Sequence, residues 1–140
     1  MFDLILLAVD GSEHAMHAAK VAGDLARASK SKDLRIVVAY DPIPHFLGEP
    51  NLSQVISART QEAQEIMDKA QEVIGKIPGE IHSELVEGPT AEKILDVAAT
   101  RKSDLIVMGS RGRGALVGAL LGSNAQKVVS HAPCPVLIVR

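Results

Sequence analysis

Three short segments of this 140-residue chain gather residue types suited to holding phosphate: Asp10-Gly11-Ser12, Gly109-Ser-Arg-Gly-Arg-Gly114 and Gly122-Ser123-Asn124. Gly109, Gly112 and Gly114 leave backbone amides uncovered by side chains. A helix entered at Gly122-Ser123-Asn124 adds the N–H groups and positive dipole end of its first turn. Amides and a helix N-terminus that converge on one crevice bind phosphate oxygens. Arg111 and Arg113 either add charge-assisted bonds or stay solvated, and both alternatives stand. Asp10 is two-sided in the same way, as a turn former beside Gly-Ser or as a ligand contact. The spacing Gly109-x2-Gly112-x9-Gly122-Ser123 has no Gly-Lys-Ser/Thr for a P-loop, and Gly-x-Gly-x-x-Gly is absent after the first strand. Turn glycines and a helix cap would account for these residues singly, but would leave their meeting at one crevice a coincidence.

Other reactive residue types carry less. His14 and His17 share a helix face without a third ligand, so they are expected to be solvated. Cys134, between Pro133 and Pro135, has no base or metal partner nearby and suits a structural role. The charges from Glu62 to Glu72 alternate with an apolar stripe and suit a solvated helix face.

The elements that must position the glycine segments follow from periodicity. Leu4 to Val9 is continuously apolar, as a strand buried on both faces is. Ala15, Ala18, Ala19, Ala22, Leu25 and Ala26 form the inner face of a helix capped by Ser12, with Glu13 in its first turn. Arg35 to Tyr40 is a second strand, and Pro42, Pro44, Gly48 and Pro50 impose a surface loop until about Ser53. A helix is predicted from Ser53 to Lys76, closed by Pro78-Gly79. Ile81 to Glu87 alternates weakly, as an edge strand does. Thr90 is expected to cap a helix carrying Ile94, Leu95 and Ala98. Asp104 to Met108 forms a buried strand ending in Gly109, Ser123 to His131 a short helix, and Pro135 to Val139 the last strand.

Strands and helices alternate without a composition break, which predicts one domain over residues 1–140. Its fold class is α/β: an open parallel five-stranded sheet, order 3-2-1-4-5, with helices on both faces. The order reverses between strands 1 and 4, where ligands of such sheets sit. The two most unusual glycine segments leave the carboxyl ends of those two strands.

Composition narrows the partners. Hydrophobic residues are 46% and charged residues 23%, which excludes intrinsic disorder. A net charge of −2 and only three aromatics, Phe2, Tyr40 and Phe46, leave neither a basic footprint nor stacking platforms for nucleic acid. The longest uncharged run, Gly114 to Gln126, is 13 residues and too short to cross a membrane. One cysteine cannot form an internal disulfide, and the acidic start Met1-Phe2-Asp3 does not resemble a signal peptide, so a cytoplasmic location is expected.

Leu-Ala-Val-Asp10-Gly11-Ser12, Asp104-Leu-Ile-Val-Met-Gly-Ser-Arg-Gly112, the glycine spacing and His131-Ala-Pro-Cys-Pro-Val-Leu-Ile-Val139 together resemble the universal stress protein family, over the whole chain and in its ATP-binding branch. The resemblance implies that Asp10 and the backbone near Ala8 and Val9 approach the adenosine, and that the backbone at Tyr40 holds the adenine edge. Met108, Gly109 and Gly112 would line the ribose and first phosphates, and Gly122, Ser123 and Asn124 the outer phosphates. Asn124 departs from the small or β-branched apolar residue usual there. For Asp10 the family favours a ligand role, accepting from a ribose hydroxyl or placing a metal through water. Mg²⁺ or Mn²⁺ would arrive with the phosphates, with no dedicated protein cage.

The implied function is a cytoplasmic, dimeric, ATP-dependent stress-response regulator with a downstream protein partner that the sequence does not identify. The alternatives are a slow ATP hydrolase or nucleotidyl transferase, for which no base or nucleophile stands out beyond Asp10 and Ser123, and an interaction module with an empty crevice. A homodimer is expected through strand 5, Pro135 to Val139, an apolar strand at a sheet edge.

Overall fold

The computed structural model describes residues 1–112 and 120–140. The elements run β1 (Leu4–Val9), α1 (Glu13–Ser29), β2 (Asp33–Tyr40), a 3-10 turn (His45–Leu47), α2 (Asn51–Ile74), β3 (Glu80–Glu87), α3 (Thr90–Thr100), β4 (Leu105–Gly109), α4 (Ser123–His131) and β5 (Val136–Val139). The five strands lie in the order β3-β2-β1-β4-β5, all parallel, as the alternation of elements predicts.

Side-chain alternation along the central strands builds two cores. Ile5, Leu7, Leu34, Ile36 and Val107 face α1 and α2, while Leu6, Val37 and Ile106 face α3 and α4. Each large aliphatic side chain so buried contributes about 1.5–3 kcal/mol. Helix α1 lies close on the sheet because Ala15, Ala18, Ala19, Ala22 and Ala26 are its buried residues. Ser12 caps it as expected: its Oγ accepts from the Ala15 N–H at 3.2 Å. Arg27 then crosses from α1 to donate to the Ile74 and Lys76 carbonyls at 2.8 and 3.0 Å, satisfying acceptors where α2 ends.

The structure corrects several local expectations. Helix α2 starts at Asn51 and stops at Ile74, two residues earlier than predicted at each end, and the proline-rich loop before it contains the 3-10 turn. Pro50 stands at the N-cap of α2: with its φ already fixed, proline suits a helix start, so the same residue that forbids regular structure before it opens the helix after it. Thr90 is not the cap of α3 but its first residue; Pro89 holds the cap position, in extended conformation, and makes no side-chain bond. Cys134 packs half-buried against the second core, where burial first and the Asp104 charge second push its thiol pKa up. Among the described residues no helix is long and apolar enough to cross a membrane.

Candidate functional site

Beyond the carboxyl ends of β1 and β4 a cleft opens on the side of the sheet covered by α3 and α4. Ala8 and Met108 form its floor; they are direct neighbours across the β1–β4 pairing. Val37 pairs with Ala8 on β2 and extends the floor, with Ala39 two residues further on at the rim. Ile94 and Thr90 close the α3 side. This lobe is mainly apolar, with one hydroxyl, and suits a flat hydrophobic group.

The opposite wall is polar. Helix α4 begins at the cleft with Gly122 as N-cap, in extended conformation, and no side chain caps it. Its first i to i−4 bond runs from the Gln126 N–H to the Gly122 carbonyl at 3.0 Å, so the N–H groups of Ser123, Asn124 and Ala125 precede that ladder. All three residues line the cleft. Gly122 is itself anchored, its N–H donating to the Ser110 carbonyl at 2.8 Å.

Asp10 stands between the two walls. Its Oδ1 accepts from the Ser12 N–H at 3.0 Å, so the turn-forming role is present. Its Oδ2 lies where a Cβ on Gly112 would sit, 2.2 Å away. A glycine is therefore required at 112 for the loop backbone to lie against the carboxylate. Gly109 has a different reason: a Cβ there would meet Ala15 N and His14 C of α1 at 2.9 Å. Among the described lining residues the charged side chains are Asp10 and Arg111.

Of the site residues expected from the sequence, the structure brings Ala8, Val9, Asp10, Met108, Gly109, Arg111, Gly112, Gly122, Ser123 and Asn124 to this one cleft. Arg113 and Gly114 lie outside the described residues. Tyr40 lines an adjoining groove of about 1070 Å³ toward α2, which shares Val9, Asp10, Ala39, Thr90 and Asn124 with the cleft. The Tyr40 carbonyl already accepts from the Gly88 N–H at 2.7 Å. Val37, Ala39, Thr90 and Ile94 line the cleft without having been expected there from the sequence. The signal was there in part: in the order 3-2-1-4-5, β2 adjoins β1, and its alternate residues at 37 and 39 must share a face with Ala8.

Of the two histidines expected in solvent, His17 is exposed and His14 is half-buried, and each has a partner. His14 Nδ1 lies 2.7 Å from Ser110 Oγ, and His17 Nδ1 lies 3.0 Å from the Arg140 carbonyl oxygen. Among the described residues no group of three or more His, Cys, Asp or Glu is placed to hold a metal ion.

Comparison with known proteins agrees with this architecture. The chain is 47% identical to a universal stress protein of Thermus aquaticus over 140 residues, the full length of both. It superposes on the universal stress protein UspA from Lactobacillus plantarum with a TM-score of 0.84 and 28% identity, covering 97% of this chain and 96% of that one. A second solved structure, a universal stress protein in complex with cAMP, is 29% identical at a TM-score of 0.68, covering 99% of this chain and 97% of that one. The pattern of the universal stress protein family matches residues 1–140, and the chain belongs to that family.

Proposed function

We propose that this protein is a single-domain, ATP-binding stress-response regulator that works as a cytoplasmic homodimer. The observation that carries the nucleotide reading is the uncapped start of α4, which lies against the loop of Gly109 to Gly112 and with it lines one cleft with an apolar floor. The apolar lobe suits adenine, with its edge toward the backbone of Ala39 and Tyr40. Asp10 accepts from a ribose hydroxyl, and the amides from Ser123 to Ala125 meet phosphate oxygens, with Arg111 and Arg113 adjacent. A related protein of this family with bound cAMP supports the nucleotide class. Mg²⁺ or Mn²⁺ comes with the phosphates and neutralises their charge. The reading is of a binder rather than a catalyst: cradling of phosphate is what the cleft offers, and slow or absent hydrolysis is the expected outcome.

Calorimetry with ATP tests this. The φ at Gly122 is −68° and a Cβ there would meet Arg111 Cα at 3.4 Å, so the backbone accepts a side chain at this position, and circular dichroism checks that Gly122→Val keeps the fold. The added side chain should abolish binding by occupying the space that phosphate needs. Unchanged affinity in a variant with a native circular dichroism spectrum refutes the assignment.

The dimer reading rests on β5, an edge strand of Val-Leu-Ile-Val with Leu137 exposed. Antiparallel pairing of two copies is self-complementary and closes the edge. Leu137→Lys should give monomers by light scattering; a wild-type monomer at micromolar concentration refutes the dimer.

A further inference from the structure

The first turn of α1 is joined to the start of the glycine loop at three successive residues. A Cβ on Gly109 would stand 2.9 Å from His14 C and Ala15 N, so β4 ends in direct backbone contact with α1. Next along the chain, Ser110 Oγ lies 2.7 Å from His14 Nδ1, a part-buried bond between residues 96 apart in sequence. After it, the Arg111 carbonyl accepts from Ser12 Oγ at a long 3.5 Å.

Ser110 is where these contacts have leverage. It is only 4% exposed, and its backbone is committed on both sides. Its N–H donates to the Val139 carbonyl at 2.7 Å, and its carbonyl accepts from the Gly122 N–H at 2.8 Å. Gly122 is the N-cap of α4, whose first residues, Ser123 to Ala125, line the cleft. Ser110 itself does not line the cleft, but its neighbours Gly109 and Arg111 do. The side chain that fixes Ser110 therefore fixes the distance between two phosphate-facing walls, the glycine loop and the start of α4. A buried hydroxyl requires a partner, and His14 supplies it from a third element.

We propose that His14 is a positioning residue for phosphate-bearing ligands: through Ser110 it holds the loop amides and the α4 N-terminus at a fixed separation. The inference rests on the nucleotide reading of this cleft. The gain is pre-organisation, since amides already aimed at the phosphate need not be ordered when it arrives. Adenosine has no phosphate and draws nothing from this arrangement.

The test compares ATP, AMP and adenosine by calorimetry on the full chain. His14→Ala is expected to weaken ATP and AMP by about fivefold, the equivalent of one ordinary hydrogen bond, and to leave adenosine unchanged. Asparagine places an amide atom where Nδ1 stood, so His14→Asn should recover affinity to within about twofold of wild type. Ser110→Ala should reproduce the loss, and the double variant should lose no more than either alone. ATP affinity unaltered in His14→Ala, an equal loss for adenosine, or additive losses in the double variant would each overturn the positioning role. Failure of the wild-type protein to bind any of the three ligands would instead remove the nucleotide reading, and this inference with it.

Discussion

The two ends of the sheet are built to opposite purposes. At the amino ends the chain bonds to itself across long sequence separations. The Asp104 carboxylate accepts from the N–H groups of Asp3 at 2.9 Å and Leu4 at 3.2 Å, the Asp3 carbonyl accepts from Lys32 and Asp33, and the Lys32 carbonyl accepts from Glu80 at 2.9 Å. Ser31, only 1% exposed, donates its hydroxyl to the Phe2 carbonyl. At the carboxyl ends, α4 starts without a side-chain cap and its first residues line a cleft. One end uses its polar groups on the fold alone; the other also lines a cavity with the start of an uncapped helix. Substitutions at the two ends should therefore divide cleanly between stability and ligand affinity.

The largest effect is expected at the amino end. A Cβ on Gly79 would stand 2.1 Å from the Ser31 carbonyl oxygen and 2.5 Å from that of Lys32, and both are backbone atoms of the connection into β2. Neither can yield without moving the strand. Gly79→Ala should cost about 3 kcal/mol, the upper part of the overpacking range. That corresponds to a fall in Tm of roughly 10 °C for a domain of this size. ATP affinity measured well below the new Tm should stay as in the wild type. A Tm within a degree of wild type would show that the connection is loose.

A smaller loss is expected from Asp104→Ala at the same end. Its carboxylate is the acceptor for two N–H groups at the start of β1, one of them part-buried, and alanine leaves them without it. The expected cost is about 2 kcal/mol, seen as a lower urea midpoint at an unchanged m-value. Loss of ATP affinity without loss of stability would contradict the division between the two ends.

How much of this was legible in sequence depended on the range of the interactions. Strand order and the capping of α1 follow from local period and from chirality rules, and Ser12 and the alanine face behave as written. The convergence of Asp10, Gly112 and Gly122 also followed, because the switch point is a property of the order alone. The role of Asp104 was hidden: its partners lie 101 and 100 residues away, and nothing in its own neighbourhood marks them. The bond from His14 to Ser110 was hidden for the same reason. Tyr40 shows a finer limit. The resemblance implied its backbone at the adenine edge; Ala39 lines both the cleft and the neighbouring groove, and Tyr40 lines the groove.

The smallest effect, and the sharpest contrast, is expected from Gly112→Ala at the carboxyl end. Gly112 is exposed, and its φ is not in the left-handed region, so alanine is compatible with the backbone. The one contact that forbids a Cβ is the Asp10 carboxylate, with Oδ2 at 2.2 Å and Cγ at 3.4 Å. A side chain can rotate where a backbone cannot, so the carboxylate should swing aside at the cost of its bond from the Ser12 N–H, about 1 kcal/mol and well below the cost at Gly79. On the proposed nucleotide reading, the moved carboxylate would no longer meet a ribose hydroxyl, and the loop backbone would be held off from the ligand. ATP affinity should fall about tenfold, or 1.4 kcal/mol. Gly79→Ala and Gly112→Ala add the same single methyl group, one against main chain and the other against a carboxylate, and should give opposite signatures in Tm and Kd. If Gly112→Ala lowers Tm and spares ATP binding, the glycine at 112 serves the turn, and Asp10 is a turn former rather than a ligand contact.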